Sequence, residues 1–184
     1  MGNKMIASRN SRSVAIALWV ATLFAVCAAN AAEKFAAERP TPLRMVRDRI
    51  KDPTITRFTG TAQLNGKFMV VGKVISPVRR VLQIIFIPDR PSAGLLPHAI
   101  GTDPVEYLFF ANNQRAASML LTPEMTNQIA VGEILRVEGE ATIEITDYRA
   151  VVECDHRWYV AQLASVITAR AAMESKNENG SLEC

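Results

Sequence analysis

"LRVEGEATIEI", Leu135 to Ile145, alternates without a break. Leu135, Val137, Gly139, Ala141, Ile143 and Ile145 share one parity, and Arg136, Glu138, Glu140, Thr142 and Glu144 share the other. A period of two is the mark of a strand with one dry face and one wet face. A glycine on the dry face, in mid-strand, gives up packing where packing matters most. The expectation that resolves this is a strand bent inside a small β-barrel. There a missing Cβ lets the backbone turn sharply on the crowded inner side.

The segments before it are patterned as strands too. In "GTAQLNGKFMVVGKVIS", residues 60–76, Asn65-Gly66 reads as a hairpin turn, and Gly72 sits in the middle of the strand that follows. "RRVLQIIFIPD", residues 79–89, is apolar on both faces through Ile87. That suits a strand with a barrel interior on one side and a covering helix on the other. "RPSAGLLPHAIGTDP", residues 90–104, carries three prolines and two glycines and reads as a loop. "VEYLFFA", residues 105–111, is a strand ended by Asn112-Asn113, while "QRAASMLL", residues 114–121, suits strand or helix. In "TPEMTNQIAVG", Thr122 as N-cap, Pro123 in the first turn and Gly132 at the end predict one short helix. "YRAVVECDHRWYVAQLASVI", residues 148–167, reads as a last long strand, bent or interrupted near Asp155-His156. Residues 161–176 are also compatible with helix.

The order of strands, with a helix before the last two and a central glycine in the best-patterned strands, predicts a mainly β protein: a small five-stranded Greek-key barrel. "VGEILRVEGEATI", residues 131–143, resembles the helix-to-fourth-strand passage of OB-fold proteins. There a G-[DE]-x-[LIV]-x-[LIV]-x-G pattern recurs, matched here by Gly132, Glu133, Leu135, Val137 and Gly139. "FMVVGKVIS", residues 68–76, resembles the first strand of that fold. The resemblance spans Thr59 to about Ile167, and more loosely extends to exported OB-fold proteins of unknown function in Gram-negative bacteria. It implies a fold and brings no catalytic residue with it.

The N-terminus speaks to location. "MGNKMIASRNSR" carries Lys4, Arg9 and Arg12 and no acid, and is followed by the apolar run from Val14 to Ala29 and an A-x-A site, Ala29, Asn30 and Ala31. This is the pattern of a secretory signal peptide cleaved after Ala31, which predicts a periplasmic or secreted protein with no membrane span left. Cys27 does not suit lipidation, because Val26 stands where a lipobox has Gly or Ala. The whole chain has 21 Lys+Arg against 18 Asp+Glu. The leader removes three bases and no acid, so the mature chain is formally neutral, which argues against binding by bulk basicity. Two cysteines then remain, Cys154 and Cys184, an even number for an oxidising compartment. A bridge between them would close a loop of about 30 residues and stabilise by roughly 3–4 kcal/mol; two free thiols are the alternative. The expected layout is leader 1–31, an extension with a short helix over 32–57, an OB-like barrel over 58–168, and a helix end with a tail over 169–184. In the extension, Leu43, Met45, Val46 and Ile50 form the partial apolar stripe of that helix, among the bases Arg44, Arg47, Arg49 and Lys51.

Candidate chemistry is sparse. In "ECDHRW", Cys154 and His156 would project from one face of a strand, but a structural zinc site needs four ligands and His98 is the only other histidine, so no metal or cofactor is assigned. There is no G-x-S-x-G, no phosphate-cradling glycine loop and no H-E-x-x-H. Glu138, Glu140 and Glu144 read as a solvated strand face, and the expectation is a protein that is not an enzyme. Single-stranded nucleic acid needs cations interleaved with aromatics. Arg79, Arg80, Arg149 and Arg157 with Phe109, Phe110, Tyr148, Trp158 and Tyr159 offer the residue types, while export and neutrality argue against it. The function expected is binding: an unknown envelope protein or small ligand held at the apolar loop Leu95, Leu96, Pro97 and Ile100, together with Tyr107, Phe109, Phe110, Tyr148 and Trp158. A structural subunit of an envelope secretion or conjugation assembly is the alternative.

Overall fold

In the computed structural model, residues 34–46, 52, 54–76, 79–153 and 156–176 are described. The fold is mainly β. The strands are β1 (Phe35–Ala36), β2 (Arg44–Met45), β3 (Ile55–Thr59), β4 (Ala62–Ser76), β5 (Arg79–Pro88), β6 (His98–Ala99), β7 (Leu108–Phe110), β8 (Ile134–Glu153) and β9 (His156–Lys176). The helices are α1 (Arg90–Ala93), α2 (Asn113–Leu120) and α3 (Pro123–Val131).

Seven strands form one curled sheet in the order β2-β3-β8-β4-β5-β7-β9, and β9 pairs again with β8. Strands β4, β5, β8 and β9 are antiparallel to their long partners, whereas β7 lies antiparallel to β5 and parallel to β9. The pairings therefore return to β8, but only through β7, which meets β5 at Ile85↔Phe109 and Phe86↔Leu108 and meets β9 at Phe109↔Val160 and Phe110↔Ala161. A seam two residue pairs long does not make a closed barrel. The simple five-stranded cylinder expected from the sequence is replaced by a seven-stranded sheet, curled round a core of Phe68, Val70, Ile84, Phe86, Leu108, Phe110, Val137 and Ile143.

Where β7 ends, side chains take over its pairing. The Asn112 amide nitrogen donates to the carbonyl of Leu163 at 3.0 Å, and its oxygen accepts from the N–H of Leu163 at 3.0 Å. Asn113 Oδ1 accepts from the N–H of Ile84 on β5 at 2.9 Å. The two asparagines thus satisfy backbone groups on both sheet edges just as the chain turns into α2.

The glycine on the dry face of β8 has a concrete reason. Gly139 stands opposite Phe68, and the β8–β9 register shifts between Glu138 and Gly139. A Cβ there would lie 2.3 Å from the carbonyl oxygen of Arg170 and 2.6 Å from the Phe68 ring. Gly139 therefore admits both a sharp bend and the buried ring that crosses it. Gly72 plays the matching part on β4, where a Cβ would sit 2.9 Å from the carbonyl of Ile129 at the end of α3. The dry parity of β8 holds from Val137 to Ile145 and then switches: Asp147 adopts φ +49°, and beyond it Tyr148 and Ala150 point inward. Leu135 departs from the pattern at the other end, exposed while Ile134 is buried.

Several sequence expectations are corrected. Asn65-Gly66 is no turn but lies inside β4. Its backbone N–H donates to Ser92 Oγ at 2.8 Å and its side chain accepts from Thr142 Oγ1 at 2.8 Å, so its polar groups are used across the sheet. Two helices, not one, connect β7 to β8, because "QRAASMLL" is helical and buries Ala116, Ala117 and Leu120. The interruption expected near Asp155-His156 falls between β8, which ends at Glu153, and β9, which starts at His156, and the two are antiparallel neighbours from Glu153↔His156 onward. The stretch 161–176 is strand throughout, held by β8 along its length.

In the extension, Arg44–Met45 is strand, not helix, because it pairs with Phe58 and Thr59 of β3. The remainder of the expected helix, including Arg47, Arg49, Ile50 and Lys51, lies outside the described residues. So do the leader, the tail beyond Lys176, and both Cys154 and Cys184 of the expected bridge. Residues 34–46 are tied to the rest of the fold by short contacts: β1 pairs with β6, Leu43 is buried, and Phe35 meets Phe58 edge-on with ring centroids 5.7 Å apart.

Gly139→Val should lower stability by about 3 kcal/mol through the forced displacement of Phe68 and Arg170. A urea midpoint within error of the parent would contradict the close approach. Asn112→Ala should cost about 2 kcal/mol, since both backbone groups of the buried Leu163 lose partners. Hydrogen exchange at the Leu163 amide should rise with it, and unchanged protection there would show that the seam closes by other means.

Candidate binding face

The structure divides the expected site residues into two sets. Leu96, Phe110 and Tyr148 are core residues, and Leu95 packs against the core half-buried. The loop of residues 89–107 folds back instead of projecting. Asp89 caps α1 by accepting from the N–H of Ser92 at 2.8 Å, which starts a tight turn that buries Leu96 and Pro97. The Tyr148 hydroxyl donates to the Pro97 carbonyl at 2.8 Å and staples the loop to β8. Burial pushes the Tyr148 phenol well above its ordinary range, with the nearby Tyr159 adding to it. Its ring lies parallel to Tyr159 at 6.1 Å and touches Phe58 at 5.3 Å. From the expected loop tip, Ile100 alone remains open, at 62% exposure.

The second set does come together. Tyr107, Phe109 and Trp158 form an edge-to-face ladder with ring centroids 5.6 and 5.8 Å apart, and His156 extends it at 6.3 Å. These rings point away from the core, because Leu108, Phe110 and Ala161 on the alternate parity are buried. The strand register sets Met69, Ile85, Phe109 and Val160 side by side across four strands, and Ile87 on the same face is 46% exposed. Met69, Ile85, Ile87 and Val160 were not singled out from sequence. The two-faced apolar pattern of β5 suggested a helix over its outer side. In the structure α2 meets β5 from the core side, where Asn113 bonds to the buried Ile84, while on the outer side Ile85 is half-buried and Ile87 exposed.

Beyond Val160 the same outer face turns polar. Val160 pairs with Arg149, and Arg149 pairs in turn with Arg57 of β3. Arg149 Nε donates to Asp147 Oδ1 at 3.1 Å, a second bond joins Arg149 Nη2 to Asp147 Oδ2, and Gln162 donates to Oδ2 at 3.3 Å. Hydrogen bonding from Arg149 holds the Asp147 carboxyl below the usual carboxylate range. An open groove of about 560 Å³ runs past Arg57, Thr59, Thr146 and Asp147. A second, of about 490 Å³, crosses Asn65, Lys67, Glu140, Thr168 and Arg170. As expected of a wet face, Glu140 is exposed, Glu138 pairs with Arg136 at 3.0 Å, and Glu144 accepts from Ser165 at 2.6 Å. His98 is buried with Nδ1 3.2 Å from the Leu96 carbonyl. Among the described residues, no three His, Cys, Asp or Glu side chains cluster as metal ligands would.

No family model matches this chain, and no curated protein or solved structure matches it either.

The Asp147–Arg149 pair predicts a pH dependence whose sign is fixed. A carboxyl with a depressed folded pKa adds stability in full above its unfolded value, near 3.9, and loses it as pH falls through the folded value. Asp147→Asn should therefore flatten the acid limb of stability against pH while leaving its shape above about pH 5 unchanged. Urea midpoints measured from pH 7 to pH 2 test this; equal slopes in parent and variant would rule the pair out as a contributor.

Proposed function

We propose that this protein is an exported, non-enzymatic binding module of the bacterial cell envelope, built on an OB-like barrel. The observation that carries the reading is the outer face of β5, β7 and β9, where Ile85, Ile87, Tyr107, Phe109, Trp158 and Val160 keep apolar and aromatic surface at the exterior. Contiguous apolar surface rimmed by polar groups marks an interaction site. Tyr and Trp are the side chains that most often carry the energy of one.

The pairing order supports the OB-like part of the reading. Taken as the first to fifth strands, β4, β5, β7, β8 and β9 pair in the order first, second, third, fifth, fourth and back to the first, with α2 and α3 between the third and the fourth. The fold of that name is a partly open Greek-key barrel that binds its ligands across the second and third strands. Those are β5 and β7, which carry the centre of the aromatic face. The leader pattern at Lys4 to Ala31 supports export, and among the described residues no helix is long and apolar enough to cross a membrane.

Photo-crosslinking in the native cells tests both halves. With Phe109→p-benzoylphenylalanine, the mature chain should begin at Ala32 and give one discrete adduct on irradiation. The same replacement at the exposed Thr168, away from the face, should give none. Trp158→Ala should reduce the Phe109 adduct about tenfold or more. Equal labelling at both positions would argue against a dedicated face, and retention of the leader would argue against export.

A further inference from the structure

We propose that the aromatic face takes an extended acidic segment of a protein partner, its apolar side chains on Phe109 and Trp158 and its carboxylates on Arg57 and Arg44. This rests on the reading of β5, β7 and β9 as a binding face and adds the chemistry of the occupant. The strand register makes the two parts continuous. Phe109 pairs with Val160, Val160 with Arg149, and Arg149 with Arg57. Three strand spacings of roughly 4.8 Å place Arg57 about 14 Å from Phe109 on the same outer surface. Arg44 pairs with Thr59, two residues along β3 from Arg57 and on the same parity, so both arginines rise from one side.

The charge state of this end decides what suits it. Asp147, the nearest carboxylate on β8, has both oxygens occupied by Arg149 and Gln162. Asp52 lies close enough to feel Arg57 but accepts from the hydroxyl and the N–H of Thr54. Arg57 and Arg44 are both exposed, and among the described residues neither makes an ion pair. Arg57 lies near enough to Asp147 and Asp52 to favour their charged forms, but both carboxylates are hydrogen-bonded elsewhere, so the guanidinium groups of Arg57 and Arg44 keep their donors for the carboxylates of a partner. The apolar ladder starts one residue beyond Arg149 and offers no charge of its own. An extended chain covers about 14 Å in four to five residues, so the partner segment needs acidic residues that far from its apolar anchors.

Phosphate backbones suit the surface less well. Moving the other way from Phe109, the register reaches Ile85, Met69 and then Glu138, with Glu140 exposed beside it and Glu106 exposed in the loop before β7. The cations at that end are interleaved with carboxylates, Arg136 paired with Glu138 and Glu140 in register between Lys67 and Arg170, so a polyanion running along the surface would meet acidic groups.

The test uses the chain from Ala32 onward, whose one tryptophan is Trp158, and two synthetic ten-residue peptides, each with Leu-Phe-Leu-Phe at one end and either three aspartates or three asparagines at the other. Binding is followed by the fluorescence of Trp158. The aspartate peptide should bind about tenfold tighter, and the difference should shrink as sodium chloride rises from 0.05 to 0.5 M. Arg57→Gln combined with Arg44→Gln should abolish the preference and leave the asparagine peptide unaffected, while Phe109→Ala should weaken both peptides. A urea midpoint for each variant guards against unfolding as the cause, and Arg57→Lys should restore part of the preference. Equal affinity for the two peptides would overturn the acidic partner and leave the binding face standing. Tight binding of a ten-nucleotide oligothymidylate in place of either peptide would identify a nucleic acid and overturn the proposal. Failure of all three to bind would overturn both the proposal and the face.

Discussion

The sheet holds its curl because two asparagine side chains finish what a three-residue strand begins. Strand β7 is too short to bridge β5 and β9 along their length, meeting each for two residue pairs while both run on past it. Left open, that gap would strand backbone donors and acceptors at the end of a packed core, each at a cost comparable to a lost hydrogen bond. Asn112 presents an amide to Leu163 much as another residue of strand would, and Asn113 does the same for Ile84 with its oxygen. The backbone is then free to leave for α2, which seals the end with Ala116, Ala117 and Leu120. Everything apolar inside the sheet depends on this handover.

A second constraint sorts the surface into regions. Strand β8 serves two neighbours on one edge, β4 as far as Ile145 and β3 from Tyr148 onward. The change of partner coincides with Asp147, whose left-handed backbone reverses which parity faces inward. One half of the strand therefore shows glutamates to solvent and the other half shows arginine. A non-glycine residue in that conformation is strained, and its carboxylate gains compensation from Arg149 and Gln162. The polar end of the outer face is a by-product of how one long strand changes neighbours.

What could be read beforehand follows from the range of the forces involved. The alternation from Val137 to Ile145 and the crowding behind Gly139 were legible, because parity and the absence of a Cβ are local properties. Thr122, Pro123 and Gly132 likewise marked α3 with a cap, a first-turn proline and a left-handed stop. The second helix was not legible, since "QRAASMLL" becomes helix on account of the core that its alanines cover. Asn65-Gly66 carried a strong turn signal that lost to pairing on both sides, an outcome decided by residues far along the chain. Among candidate site residues, aromatic identity alone could not separate Tyr148, which anchors Pro97, from Trp158, which stays outside. That division depends on the parity switch at Asp147 and on the fold-back of the loop.

The pairing of β1 and β3 with strands far along the chain has a temporal consequence. Phe35 finds its partner in Ala99, and Ile55 finds its partner in Val151. A ribosome delivers the early member of each pair long before the late one, so Phe35 waits for the chain to reach Ala99, and β3 waits until nearly all of β8 has been made. Non-local closure of this kind is slow and prone to wrong associations while it lasts. A chain assembled in this order has reason to be shielded during synthesis.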